Sequence, residues 1–151
     1  MFKYQVLLIE FIILLSLKAD DYSNGPSGAS SISVGGSSKS GTIEVVGDED
    51  WFIASLNAGV SYTVINQAVG GSDPMISVKG PAPSTSEIAF NDDYDDLSAQ
   101  VIFTAPSTGS YYIVSLGYPD TTGQYSIRIF LTPIPCPTDC GKESWSLKHL
   151  N

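Results

Sequence analysis

Beyond about residue 30, apolar side chains fall in short runs that alternate with polar ones, the period-two signature of half-buried β-strands. Ile32 and Val34 alternate with serines and predict a short edge strand over 31–34. Further strands are predicted over Thr42–Val46, Trp51–Leu56, Val60–Asn66, Met75–Lys79, Glu87–Phe90, Ser98–Thr104, Ser110–Leu116 and Gln124–Leu131. Along Trp51–Leu56, the side chains of Phe52, Ala54 and Leu56 share one face, and Trp51, Ile53 and Ser55 share the other. Tyr111 and Tyr112 must point to opposite faces in the same way, which places one in the core and the other on the surface. Turn chemistry separates the runs, most clearly at Gly70–Pro74 and Gly80–Ser84.

Two stretches share one layout. Gly41–Leu56 leads into Asn57–Val64, and Val101–Leu116 leads into Gly123–Phe130. Each block reads as a hairpin of two strands hinged at a tight turn, Asn57–Gly59 in the first and Pro106–Gly109 in the second. No segment after residue 20 keeps a helical period over ten residues. Many short strands at this spacing predict an all-β sandwich or barrel.

Both ends fall outside that pattern. Lys3, the apolar run Val6–Leu17 (broken by Glu10) and the small Ala19 read as an export signal over residues 1–19. The run is too short for a comfortable membrane span of about 20 apolar residues, so no stable membrane anchor is expected. After Leu131, the prolines 133, 135 and 137 prevent both ladder pairing and helix, so residues 133–151 read as a linker or tail. The folded unit is expected over 20–132. Cys136 and Cys140, the only cysteines, lie in the tail and are expected to form a local disulfide or stay as thiols. A zinc centre would need four ligands, and His149 is the only histidine.

Composition narrows the chemistry. With 42% apolar and 15% charged residues the chain can bury a core, and the net charge of −9 argues against nucleic acid. Acids and side-chain amides cluster in three places: Asp20, Asp21 and Asn24; Asp48 and Asp50; and Asn91, Asp92, Asp93, Asp95 and Asp96. Calcium takes six to eight oxygen ligands and is suited to such groups, whereas the alternative is a set of solvated turns. The EF-hand pattern is absent, because its required glycine is missing. Nucleophilic triads lack a nearby base, and the carboxylates of 92–96 sit in a polar loop where nothing would raise the pKa of an acid catalyst. Tyr94 and Tyr118 are the candidate ligand-contacting aromatics, weighed against packing on the sheets.

Gly47–Phe52, Leu56–Gly59 with Tyr62, Asp73-Pro74, Asn91–Asp93 and Phe103–Ile113 occur in an order that resembles the bacterial pre-peptidase C-terminal domain. That family is related to the collagen-binding domains of secreted bacterial collagenases. The resemblance covers about residues 20–131, including the acidic start Asp20–Asn24. It implies a jelly-roll-like antiparallel β-sandwich of about eight to nine short strands. It also implies a non-catalytic appendage of exported hydrolases, some members of which bind calcium or extracellular polymers. By resemblance to the collagen-binding relatives, Asp20, Asp21, Asn24, Asp48 and Asp50 would share one calcium. Asn91, Asp92 and Asp93 are a candidate second site. The loop Asn91–Asp96 departs from the family pattern in lacking the glycines that often follow Asn-Asp-Asp. The expected function is an exported accessory module that binds an extracellular protein or polysaccharide, or that supports the folding or secretion of a hydrolase. The alternatives are a fragment of a secreted peptidase whose catalytic part lies elsewhere, and a small carboxylate-dependent hydrolase.

Overall fold

Nine strands form in the structure, a computed structural model that describes residues 19–134. They are β1 Ser30–Ser31, β2 Lys39–Ile43, β3 Glu49–Leu56, β4 Ser61–Val69, β5 Pro74–Lys79, β6 Glu87–Asn91, β7 Ala99–Thr104, β8 Gly109–Gly117 and β9 Gly123–Leu131. A single 3-10 turn, Pro26–Gly28, precedes them. Residues 1–18 of the expected export signal, Cys136, Cys140 and His149 lie outside the described residues.

The strands make a β-sandwich. One sheet has the order β1-β3-β8-β5-β6 and the other β2-β9-β4-β7. Apart from β1, every pairing between strands is antiparallel. The ladders β2·β9, β3·β8, β4·β7 and β5·β6 are nested, so the chain resembles one long hairpin rolled over on itself. That is the jelly-roll arrangement. β1 is added parallel to the free edge of β3, and the Ile32 N–H still donates to the Ile53 carbonyl at 3.0 Å.

The nesting corrects the hairpin expectation for the two blocks. β3 and β4 lie in opposite sheets, as do β7 and β8. The turns at 57–59 and 106–108 are corners that carry the chain from one sheet to the other. The strands of the first block pair with those of the second, Phe52 opposite Ile113 and Val64 opposite Val101. A tyrosine hydroxyl from the following strand pins each corner. Tyr62 Oη accepts the Asn57 N–H at 2.9 Å, and Tyr111 Oη donates to the Ser107 carbonyl at 2.8 Å. The corners are also tied to each other, with the Gly59 N–H donating to Ala105 O and the Ala105 N–H to Val60 O.

Between the sheets lie Phe52, Ala54 and Leu56 with Val64, Ile76, Val78, Tyr111, Ile113, Ile127 and Ile129, as the alternation along β3 implies. Phe52 is fully buried and its ring lies 4.6 Å from that of Tyr22. Phe52→Ala is therefore expected to cost about 3–5 kcal/mol in chemical denaturation, the usual range for emptying a core aromatic site.

Tyr111 and Tyr112 do face opposite ways, but both are buried. Tyr112 joins Trp51 and Val114 in a second cluster on the outer face of the five-stranded sheet. The two rings meet edge-on at 5.4 Å, the Lys79 ammonium lies 5.2 Å from the Trp51 ring, and Trp51 Nε1–H donates to Glu49 at 2.8 Å. These neighbours cover an aromatic face that would otherwise be open to water.

β2 departs from the predicted Thr42–Val46. It ends at Ile43, and Val45 and Val46 are exposed in the turn that follows. The turn closes because the Asp48 N–H donates to Val45 O while the Asp48 carboxylate accepts the Glu44 N–H at 3.1 Å. That side-chain bond competes with ladder pairing for the Glu44 backbone.

Candidate metal centre

β2 and β3 run to the same end of the sandwich, opposite the two corners, and the turn between them projects acids there. Asp48 sits in the turn, and Asp50 is the second residue of β3 and fully buried. The amino-terminal strap lies across them. The Ser23 carbonyl accepts the Trp51 N–H at 3.1 Å, and Asn24 Oδ1 accepts the Glu49 N–H at 2.7 Å. The strap thereby brings Asp20 and Asp21 over the turn.

Carboxylate oxygens of Asp20, Asp48 and Asp50 lie within 4.8 Å of one another, and those of Asp20, Asp21 and Glu44 form a second such group. The two groups share Asp20. Asn24 stands at the rim, where its Nδ2 donates to Asp20 Oδ2 at 3.1 Å, and the Tyr22 N–H donates to Asp20 Oδ1 at 3.2 Å.

Asp50 is fully buried. Its Oδ2 accepts a 2.6 Å hydrogen bond from the Tyr125 hydroxyl, whereas its Oδ1 is buried with no hydrogen-bond partner. Burial pushes its pKa up to about 8; the Tyr125 hydrogen bond opposes the shift, and the charges of Asp21, Asp48 and Glu44 add to it. Glu44 is pushed up to about 7, first by burial and then by the Asp48 carboxyl and the Asp21 charge. Burial also raises the Tyr125 phenol, as do the hydrogen bond to Asp50 and its charge, so Tyr125 remains a donor.

Gly41 makes this pair possible. A Cβ at Gly41 would overlap the end of the Tyr125 ring and its hydroxyl, so only glycine lets Tyr125 lie across β2 and reach Asp50.

The structure thus brings together Asp20, Asp21, Asp48 and Asp50, four of the acids singled out in the sequence, with Asn24 beside them. Sequence reasoning misses Glu44 and Tyr125. Glu44 reads as part of an uninterrupted strand; a lone acid inside Ile43–Val46 is the available signal. Nothing local marks Tyr125, which reaches the site only through the β2·β9 ladder.

Asn91, Asp92 and Asp93 lie at the same end of the sandwich but on the opposite flank, between β6 and β7. There Asn91 Nδ2 donates to the carbonyls of Asp93 and Gln100, and the Asp92 N–H donates to Asn91 Oδ1. Among the described residues they join no group of three converging carboxylates. Burial raises the nearby Asp73, and Asp93 and Asp92 add to the shift. Tyr94 and Tyr118 are both exposed, in the loops β6–β7 and β8–β9.

No family model and no curated protein matches the sequence. Solved structures do match in fold. The pre-peptidase C-terminal domain of a Bacillus anthracis collagenase superposes with a TM-score of 0.57 at 17% identity, over 71% of this chain and 99% of that one. A surface-associated copper-binding protein, CorA of Methylomicrobium album BG8, follows with a TM-score of 0.50 at 12% identity, over 69% of this chain and 98% of that one. The chain is thus a β-sandwich with the fold of a pre-peptidase C-terminal domain, as the ordered motifs from Gly47 to Ile113 imply.

Proposed function

We infer that this chain is an exported, non-catalytic accessory module whose amino-terminal strap is fastened to the sandwich by calcium. The observation that carries the reading is the buried Asp50 Oδ1, which lacks a hydrogen-bond partner and belongs to a carboxylate that converges with those of Asp20 and Asp48. A buried, unpaired carboxylate costs several kcal/mol, and a divalent cation offsets that cost together with the repulsion among its neighbours. The donors are all oxygens and come from three segments of chain, which suits the irregular six- to eight-oxygen shell of calcium better than the strict octahedron of magnesium. The accessory role draws support from the fold shared with a collagenase domain, and export draws support from the Lys3–Ala19 pattern.

Melting with calcium and then with chelator tests the reading. Calcium at a hundredfold excess over Kd adds about 2.7 kcal/mol to stability, or about 10 °C in Tm for a domain of this size. An unchanged Tm across millimolar calcium overturns it.

The pH dependence supplies a second readout. A carboxyl whose folded pKa is raised stabilises the fold below its unfolded pKa and loses that contribution as pH rises through the folded one. For Asp50 the window runs from 3.8 to about 8, and for Glu44 from 4.5 to about 7. In chelator, Tm is therefore expected to fall across this window. Calcium binds the ionised carboxylates, so its Tm increment is expected to grow over the same range, as a pH series of melts will show.

A further inference from the structure

Beside the acidic cluster lies a pocket of about 390 Å³. Asp21 belongs to both, since its carboxylate converges with those of Asp20 and Glu44 and the residue lines the pocket. The wall is built on rigid ladder positions. Thr42 of β2, Gln124 of β9 and Val69 of β4 stand in register across three strands. Ser40 and Tyr125 complete the polar lining.

We propose that this pocket takes a neutral polyhydroxylated ligand, a saccharide, whose hydroxyls would complete the shell of a cation held by the cluster. The proposal rests on the cation reading above. Two observations set the ligand class. First, the protein's own oxygens are partly committed: Asp50 Oδ2 to Tyr125, Asp48 Oδ2 to the Glu44 N–H, and both Asp20 oxygens to Tyr22 and Asn24. A calcium shell of about six to eight oxygens then has room for two adjacent hydroxyls from a ligand. Second, five carboxylates outweigh even two divalent cations, so the site stays negative and repels an anionic ligand. A neutral polyol meets no such repulsion. The amide of Gln124 and the hydroxyl of Ser40 can bond sugar hydroxyls, and Val69 offers an apolar contact to a ring face.

The test uses the full chain with methyl mannoside, N-acetylglucosamine and cellobiose as neutral probes and glucuronate as the anionic one, followed by calorimetry and NMR shifts. Val69→Trp fills the pocket from a side chain that is 39% exposed, and Gln124→Ala removes an amide without added bulk. The expected result is binding of at least one neutral probe in calcium, its loss in chelator, and its loss in V69W. V69W keeps the calcium-induced rise in Tm, and Q124A keeps that rise while binding the probe more weakly. The proposal is overturned alone if calcium raises Tm but no neutral probe binds, if binding survives chelator, or if glucuronate binds more tightly than the neutral probes. If calcium leaves Tm unchanged, the cation reading fails and takes this proposal with it.

Discussion

Asp50→Asn will erase the calcium-induced rise in melting temperature while leaving the chelated protein at least as stable as the wild type near pH 8. Both halves follow from the geometry. Asn can still accept the Tyr125 hydroxyl through its amide oxygen, so the 2.6 Å bond near the start of β9 has a substitute. The substitution removes a fully buried charge whose Oδ1 has no partner and whose pKa is pushed up to about 8. Without metal, that charge is a liability at alkaline pH, because burial favours the neutral form. With metal, the same carboxylate would be the most deeply buried ligand of the cluster. The expected loss is the whole calcium increment, about 10 °C at a hundredfold excess over Kd. Melting curves of the variant and wild type, each with calcium and with chelator, decide it. A variant that still gains the full increment would show that Asp50 is not a ligand.

Gly41→Ala is the second large effect. A Cβ there would overlap the Tyr125 hydroxyl and the end of its ring, and the tyrosine, almost fully buried, must shift off Asp50 to make room. Overpacking costs about 1–3 kcal/mol. Displacing the hydroxyl also breaks a bond to a carboxylate, worth about 1.5–3 kcal/mol. The expected loss is therefore about 3 kcal/mol or more, a large share of the 5–15 kcal/mol typical of a domain. Tyr125→Phe removes the hydroxyl but leaves the rest of the ring in the way of the added methyl group, so the double variant is expected to lose less than the sum of the two singles. Urea denaturation of the four proteins measures this coupling, and strict additivity would show that Gly41 acts independently of Tyr125.

The expected strands were legible to within a few residues because alternation is a local property. Each peptide pleat sends neighbouring side chains to opposite sides, and the burial of Phe52, Ala54 and Leu56 on one face follows from that alone. β2 is the exception, since its end is set by the Asp48 carboxylate folding back onto Glu44. The corners read as hairpins for a related reason. Asn57–Gly59 and Pro106–Thr108 have tight-turn chemistry, but turn chemistry fixes only a reversal of direction. Whether the next strand pairs with its predecessor or crosses to the other sheet depends on partners far along the chain, as Phe52 facing Ile113 shows.

The amino-acid sequence by itself determined the all-β class, the faces of the strands and four of the acids that gather at one end, because these depend on side-chain type and spacing over a few residues. Tertiary structure alone decided that the two blocks pair with each other, that Glu44 and Tyr125 join the acids, and that Asn91, Asp92 and Asp93 stand on the other flank. Those outcomes depend on nested long-range ladders, which set which strand ends share a pole and which carboxylates come close enough to repel.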